Sequence, residues 1–157
     1  MPTIRQECEQ TQDYIIAMRR ALHKIPEVET FNPKTRAFLC EELTRLGIPW
    51  RESRQMCDGK PDTSLIALIE GKNTDKVLAL RSDTDALPQE ELLDVPYRSE
   101  HPGCMHACGH DCHMAMLLGA AKILMAHREE LNGSVKLLFQ SGEENVKGSK
   151  LDRKSVV

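Results

Sequence analysis

The sequence predicts an α/β domain in which a mixed β-sheet is flanked by helices. Three observations support this prediction. Apolar residues recur at helical spacing in several segments, short aliphatic runs bounded by turn residues lie between them, and the order is helix, helix, strands, helix, strand. The 157 residues amount to one domain's worth of chain, enough to bury roughly two-thirds of the surface that the unfolded chain exposes.

Two amphipathic helices are predicted at the start of the chain. The first runs from Thr3 to about His23, and Pro26 ends it. The second follows Asn32-Pro33, an N-cap residue and a proline at the first helical position, and continues to Gly47. The apolar positions of the first helix are Ile4, Cys8, Tyr14, Ile15, Met18 and Leu22.

Four segments are predicted as strands. A short one covers residues 48–53, and the better candidates are the aliphatic runs 64–70, 76–81 and 134–140. The turn 71–75 is short, which predicts that the strands on either side of it form an antiparallel hairpin.

A long loop and a third helix are predicted between the last two strands. From Leu87 to Gly103 the chain is polar and punctuated by prolines, so we expect an irregular segment lying over the site. Asp111 is a suitable N-cap for a helix that continues to about Glu130. The expected buried face of this helix consists of Met114, Leu117, Leu118, Ala121 and Leu124.

The composition excludes several classes of function. Hydrophobic residues make up 40% and charged residues 29%, and a net charge of -3 offers no basic surface for nucleic acid. No apolar run approaches the roughly 20 residues of a membrane span, and the first residues lack a signal peptide's apolar segment. We therefore expect a cytoplasmic protein with no nucleic-acid or membrane partner.

The segment 105–113, Met-His-Ala-Cys-Gly-His-Asp-Cys-His, is the most chemically distinctive part of the chain. Thiolate, imidazole and carboxylate side chains are ligands of zinc, manganese, cobalt or nickel. On a helix Cys108 and His110 would point roughly 200° apart. They can share an ion only in an extended or looped segment, which Gly109 permits.

The cysteines leave two alternatives open. All six are expected to be free thiols or metal ligands in a reducing cytosol, with Cys8 and Cys40 packed in the core. Cys104, Cys108 and Cys112 could form a structural zinc site, although their spacing is not the usual paired knuckle. A cysteine hydrolase could instead use Cys108 as its nucleophile with His110 as the base.

Two acidic pairs each follow a predicted strand. Asp83 and Asp85 would point to the same side at the carboxyl end of their strand, where α/β folds usually place their sites. A carboxylate there could accept the second N–H of a ligating histidine. Glu143 and Glu144 can face one cavity only if the backbone bends at Gly142, so that one binds metal and the other takes a proton from water. Taken alone, either pair could also be a solvated loop.

Three stretches together resemble a known family. They are residues 20–27 (Arg-Ala-Leu-His-Lys-Ile-Pro-Glu), 81–88 (Arg-Ser-Asp-Thr-Asp-Ala-Leu-Pro) and 106–111 (His-Ala-Cys-Gly-His-Asp). In sequence and order they are similar to the signatures of the dinuclear metal-dependent amidohydrolases. That family includes hippurate hydrolases, N-acyl-amino-acid amidohydrolases and indole-acetyl-amino-acid hydrolases. The resemblance implies a zinc-exopeptidase-like catalytic domain that hydrolyses the amide between an acyl group and an amino acid.

The resemblance also implies roles for individual residues. Cys108, His110 and Glu144 would be metal ligands in a site for two divalent ions, which could be zinc, manganese, cobalt or nickel. Glu143 would be the general base that activates water, and Asp85 would take the family's orienting acidic position beneath the site. The substrate would be a small N-acyl amino acid, and the full-length enzyme would be able to form a homodimer.

Two departures from the family pattern modify these expectations. Ser141-Gly142 precedes the glutamate pair, where the family usually has proline and alanine. The family also takes further histidine ligands and a smaller dimerisation domain from sequence downstream. We therefore expect residues 1–151 to be the N-terminal part of a truncated catalytic domain, inactive alone, with a non-enzymatic cysteine/histidine metal-binding module as the alternative.

The last six residues, 152–157, have no link to the pattern before them. Asp-Arg-Lys-Ser-Val-Val is the in-frame translation of the start of a common sequencing-library adapter. Our hypothesis is that this tail is not native, and clean genomic sequence with a stop codon directly after Val157 would refute it.

Overall fold

The computed structural model describes residues 3–73 and 75–149, so the tail 152–157 lies outside the described residues. The helices are α1 (Ile4–His23), α2 (Pro33–Arg45) and α3 (His110–Ala126), and a single 3-10 turn covers Arg128–Glu130. The strands are β1 (Trp50–Glu52), β2 (Met56–Cys57), β3 (Lys60–Pro61), β4 (Leu65–Ile69), β5 (Val77–Asp83) and β6 (Ser134–Gln140). Among the described helices, none has the length and apolar character needed to cross a membrane.

The main sheet has four strands in the order β1-β4-β6-β5, and β2 pairs with β3 in a separate two-stranded ribbon. β6 lies between β4 and β5, antiparallel to the first and parallel to the second. The sheet is therefore mixed, as predicted, but the predicted hairpin between the strands on either side of the turn 71–75 is wrong.

The turn after β4 crosses over the chain that leads into β6. Lys72 N donates to Leu131 O at 2.9 Å, and a Cβ added to Gly71 would lie only 2.2 Å from Gly133 O. This close approach carries the chain past β6 to the far edge of the sheet, where β5 pairs. A short connection can therefore join two strands that are not neighbours.

One hydrophobic core joins all three helices to the same face of the sheet. Alternate residues of β4 and β6 point into this core, as expected for a strand whose side chains alternate between faces. The buried core residues are Leu22, Leu39, Leu43, Ile48, Leu65, Ala67, Ile69, Met114, Leu117, Leu118, Ala121, Val135, Leu137 and Phe139. The predicted fold class is thus confirmed, with the helices of the described chain on one side of the sheet.

The predicted N-cap of α2 is confirmed in position, with Asn32 at the cap and Pro33 in the first turn, but the capping hydrogen bonds come from another residue. Asn32 stands at the N-cap, but its side chain makes no capping hydrogen bond, and its Nδ2 donates to Val28 O at 3.2 Å. The carboxylate of Glu27 caps the helix instead, because it accepts hydrogen bonds from Lys34 N at 3.2 Å and Thr35 N at 2.9 Å.

The predicted cap of α3 is wrong. Gly109 holds the N-cap position with a left-handed φ of 91°, and Asp111 lies fully buried inside the first turn. Its carboxylate contacts His23 and Arg19 rather than the helix backbone. The predicted buried face is confirmed for Met114, Leu117, Leu118 and Ala121, whereas Leu124 is only half-buried.

Two further expectations have mixed outcomes. Residues 87–103 form no helix or strand, as predicted, and hydrogen bonds such as Glu100 N to Lys24 O at 2.9 Å tie them to the end of α1. Cys40 is half-buried against the core. Cys8 is exposed, so the prediction that it packs in the core is wrong.

Candidate metal centre

The sheet brings the two acidic pairs to one edge. β5 and β6 run parallel and end side by side, with Asp83 paired opposite Gln140. Thr84 N then donates to Gln140 O at 2.8 Å, which extends the pairing by one residue. Asp85 and the glutamates after β6 therefore meet at the carboxyl edge of the sheet, where α/β folds commonly place their sites.

The loop before α3 brings Cys108 and His110 to the same edge. One ligand atom from each of Cys108, His110 and Glu144 lies within 4.8 Å of the other two. The left-handed Gly109 between them allows the cysteine and the histidine to face a common point, as the spacing argument requires. A second group, formed by Asp83, His110 and His113, meets the same distance limit and shares the histidine.

Asp85 orients both a ligand residue and the turn that follows β6. The Nδ1 of His110 is 2.7 Å from the main-chain oxygen of Asp85, whereas the Asp85 carboxylate is 3.6 Å from that nitrogen. The carboxylate instead accepts a 2.9 Å hydrogen bond from Glu144 N. With Nδ1 donating to the carbonyl, Nε2 of His110 is the nitrogen that faces the ligand group.

The glutamate turn bends as the sequence required. Gly142 has a left-handed φ of 69°, so Glu143 and Glu144 both reach the histidine instead of pointing to opposite faces. Glu143 Oε2 and Glu144 Oε1 each lie 3.8 Å from His110 Nε2. The Glu143 side chain is 43% exposed and that of Glu144 is 25% exposed, so a small molecule can reach the first more easily.

Carboxylates dominate the electrostatics of this edge. Burial lowers the pKa of His110, but its contacts with Asp85 and the charge of Asp83 raise it to about 9. A hydrogen bond to Glu144, burial and the nearby carboxylates raise the pKa of the Cys108 thiol above its ordinary value. Burial would raise the pKa of Asp85, but the nearby His110 imidazole and the Glu143 and Glu144 main chain lower it.

These residues fit a divalent metal ion. A thiol, an imidazole and a carboxylate form a donor set that suits Zn²⁺ and the related transition metals. The site also holds more carboxylates than cationic groups, and Asp85 Oδ1 is buried with no hydrogen-bond partner among the described residues. A cation at this edge would neutralise that charge.

The two alternative sites receive less support from the geometry. Within the described chain, neither Cys104 nor Cys112 belongs to a group of ligand atoms with Cys108, so an all-thiolate zinc site is not assembled. A nucleophilic cysteine needs a depressed pKa, whereas that of Cys108 is raised. The thiol at position 108 is therefore better suited to binding an ion than to attacking a carbonyl.

Sequence reasoning missed a buried ionic network behind the site. His23 is 2% exposed, with Nδ1 2.7 Å from Asp111 Oδ2 and Nε2 3.1 Å from Glu91 Oε1. Arg19 Nε lies 2.8 Å from the same Asp111 oxygen. The network fixes the first turn of α3, which begins at His110. The stretch 20–27 contained His23, but nothing local in the sequence indicated Glu91 as its partner.

The ring of His106 is also buried, at 3% exposure, and neither of its nitrogens has a hydrogen-bond partner among the described residues. Burial lowers its pKa to about 4, so the ring is neutral at pH 7. The sequence assigned no role to this histidine.

Comparisons with known proteins identify relatives of similar sequence. Residues 79–154 match peptidase family M20/M25/M40. The chain is 39% identical over 142 residues to thermostable carboxypeptidase 2 of Saccharolobus solfataricus, which covers 90% of this chain and 35% of the relative. It is 43% identical over 130 residues to N-acetyl-L-cysteine deacetylase of Bacillus subtilis, covering 83% of this chain and 30% of that protein. The chain thus spans about a third of the length of these curated relatives.

The fold is likewise shared with solved structures. A dinuclear metal binding peptidase of the M20 family from Bacillus subtilis superposes with a TM-score of 0.85 at 34% identity, over 94% of this chain and 40% of the other. The resemblance of the three sequence stretches to the dinuclear metal-dependent amidohydrolases is thus confirmed, and residues 79–154 match peptidase family M20/M25/M40.

Proposed function

We propose that the full-length protein is a metal-dependent amidohydrolase that cleaves the amide bond of small N-acyl amino acids. The observation that supports this most directly is the group of Cys108, His110 and Glu144, with ligand atoms within 4.8 Å of one another and Glu143 beside them. A relative is named as a deacetylase of N-acetyl-L-cysteine and another as a carboxypeptidase, both of which hydrolyse amides.

Each residue of the group would have a distinct task. Cys108, His110 and Glu144 would hold a divalent ion, which lowers the pKa of water and polarises a scissile carbonyl when bound. Glu143 would accept a proton from the attacking water and deliver it to the leaving amine nitrogen. Asp85 would keep His110 and Glu144 in place through its main-chain oxygen and its carboxylate.

The complete site would need residues beyond those of this chain. Three ligands suffice for one ion, and the proposed second ion requires ligands that the remaining two-thirds of a relative's length could supply. We propose Zn²⁺, Mn²⁺, Co²⁺ or Ni²⁺ as the ions and a homodimer as a form of the full-length enzyme. The cytoplasmic location stays a prediction.

The test is a Glu143→Gln substitution in the polypeptide encoded at the complete source locus. Metal content is measured by atomic absorption, and turnover is measured on a panel of N-acetyl amino acids. We expect unchanged metal content and a loss in kcat of about 10²–10⁴-fold, because a missing general base costs that much. Glu129→Gln, at a side chain that is 82% exposed, is the matched control and should keep full activity.

Retained activity in Glu143→Gln would refute the assigned base. A wild-type protein that holds one tightly bound zinc and cleaves no substrate would instead favour the non-enzymatic metal-binding module. Activity that survives removal of metal by a chelator would revive the cysteine-nucleophile alternative at Cys108.

A further inference from the structure

A cluster of three buried polar residues lies directly behind the glutamate turn. Asp62, Ser64 and Ser141, which we call the Asp62 clasp, have exposures of 0%, 2% and 0%. Asp62 Oδ1 accepts hydrogen bonds from Ser64 N at 3.1 Å, Ser64 Oγ at 2.8 Å and Ser141 Oγ at 2.6 Å. Ser141 N in turn donates to Ser64 Oγ at 3.1 Å.

The clasp owes its position to the pairing of β4 with β6. Leu65 is opposite Phe139 in this antiparallel pair, so the residues just before β4 lie beside the residues just after β6. Ser64 precedes the first of these strands and Ser141 follows the second. The clasp therefore joins the start of one strand to the point where the other enters the glutamate turn.

A fully buried carboxylate is costly unless it is hydrogen-bonded. All three hydrogen bonds that the Asp62 carboxyl group accepts fall on Oδ1, and its Oδ2 has no partner among the described residues. The short Ser141 contact has the length of a hydroxyl bonded to a charged acceptor, which is among the stronger hydrogen bonds in proteins. The fold retains this buried carboxyl group where its bonds restrain the residue before Gly142.

The glutamate turn is consequently held at both ends. The clasp binds the hydroxyl and the main-chain N–H of Ser141 at the start of the turn. At the other end, Asp85 binds Glu144 N. Between these two points the turn has a single left-handed residue, Gly142, so fixing its ends leaves the glutamates little freedom.

We propose that the Asp62 clasp is a positioning device that places Glu144 in the metal group by restraining Ser141. Asp62 and Ser141 contact neither substrate nor ion in this proposal, and they act through the backbone of the turn. The proposal rests on the proposed metal site, and it goes beyond that site because it assigns a role in metal affinity to residues outside the ligand group.

The experiment is a Co²⁺ titration of the 157-residue chain, in which the thiolate-to-cobalt absorption band of Cys108 reports binding. Ser141→Ala and Asp62→Ala should weaken Co²⁺ affinity by about 10–100-fold, the usual effect of losing a group that orients a metal ligand. Asp62→Asn keeps an oxygen at the Oδ1 position, so its loss should be smaller than that of Asp62→Ala. Ser141→Ala removes only one hydroxyl, so it tests the proposal even if Asp62→Ala fails to fold.

Thr11→Val is the matched control for the loss of a buried hydroxyl outside the clasp. Its hydroxyl is also buried and donates to Glu7 O at 2.8 Å within α1, away from the metal group. Thr11→Val should leave Co²⁺ affinity unchanged, with all titrations made well below every variant's unfolding temperature.

Wild-type affinity in both Ser141→Ala and Asp62→Ala would overturn the positioning role. An equal loss of affinity in Thr11→Val would also overturn it, because Thr11 lies outside the clasp. Equal losses in Asp62→Asn and Asp62→Ala would overturn it as well, because the asparagine keeps the oxygen that accepts the clasp's hydrogen bonds. A wild-type chain that binds no Co²⁺ would refute the metal site itself, and the clasp proposal would fail with it.

Discussion

Replacing Gly142 by alanine should destabilise the chain through two penalties that coincide at this residue. Its φ of 69° is left-handed, where a residue with a Cβ costs about 1–2 kcal/mol. A Cβ built there would lie 2.4 Å from Thr30 Cγ2 and 3.1 Å from Asn145 Oδ1. Overlap in a packed region adds about 1–3 kcal/mol, so the expected loss in the free energy of unfolding is about 2–5 kcal/mol.

Gly103→Ala separates the two penalties. Gly103 has nearly the same φ, 72°, but a Cβ there would meet no atom within 4 Å. Only the backbone penalty applies, and the expected loss is about 1–2 kcal/mol. Both variants are measured by urea denaturation followed by circular dichroism, with the wild-type m-value as a check that the unfolding transition is unchanged.

The same pair of variants should differ in metal binding. Gly142→Ala displaces the glutamate turn and should weaken Co²⁺ affinity, whereas Gly103→Ala should not. Equal destabilisation in the two variants would contradict the close packing of Thr30 against the turn. An unchanged Co²⁺ affinity in Gly142→Ala would contradict the idea that the left-handed bend holds Glu144 in the ligand group.

Three further predictions concern stability and pH. Leu118→Ala should lower the free energy of unfolding, measured by urea denaturation, by about 2–5 kcal/mol, because the side chain is 0% exposed. Met116→Ala on the same helix, at a side chain that is 55% exposed, should change it by no more than about 0.5 kcal/mol. Hydrogen bonds to Glu7 and, to a smaller extent, Glu130 raise the pKa of His127. The stability that these bonds contribute is therefore present below the unfolded pKa of about 6.5. It is lost as the pH rises through the higher pKa of the folded protein. The difference in unfolding free energy between wild type and Glu7→Gln should therefore shrink as pH increases, and a constant difference would contradict this pairing. Co²⁺ binding should release protons from His110 and Cys108, since both pKa values are raised. Calorimetry in two buffers of different ionisation enthalpy should detect these protons. Titrations at several pH values should show a Co²⁺ affinity that increases with pH below about pH 9.

The strands of the main sheet were predictable from the sequence, but their pairing order was not. Aliphatic runs locate β4, β5 and β6, because a short apolar run bounded by turn residues is typical of a strand. Strand pairing depends on contacts distant in sequence, and a short turn suggested that β4 and β5 were neighbours. Six of the seven residues of β6 and four of the five of β4 are buried, so nothing in the aliphatic character of either run indicated which strand would pair with β5.

Part of the candidate site could likewise be predicted because its residues carry their chemistry in short motifs. Cys108 and His110 are two residues apart, and Gly142 next to two glutamates implies a bend. The supporting residues have no such signature. Asp62 and Ser141 are separated by 79 residues, and only the antiparallel pairing of β4 with β6 brings them together.

Charge distinguishes the two chemistries that the cysteine and histidine could perform. A nucleophilic thiolate requires neighbours that stabilise negative charge, such as a lysine, an arginine or a protonated histidine beside the sulfur. Around Cys108 the carboxylates outweigh the one nearby imidazole, that of His110: Glu144 accepts the hydrogen bond of the thiol and Glu143 and Asp83 add negative charge, so the pKa of Cys108 is raised rather than lowered. Burial lowers the pKa of His110, but Asp85 and Asp83 raise it to about 9, so this edge favours positive charge, whether it is a proton or an ion. A divalent cation adds more positive charge at this point than a proton does, and it can convert the thiol to a bound thiolate. The electrostatics that oppose a cysteine nucleophile are therefore those that favour metal binding at this edge of the sheet.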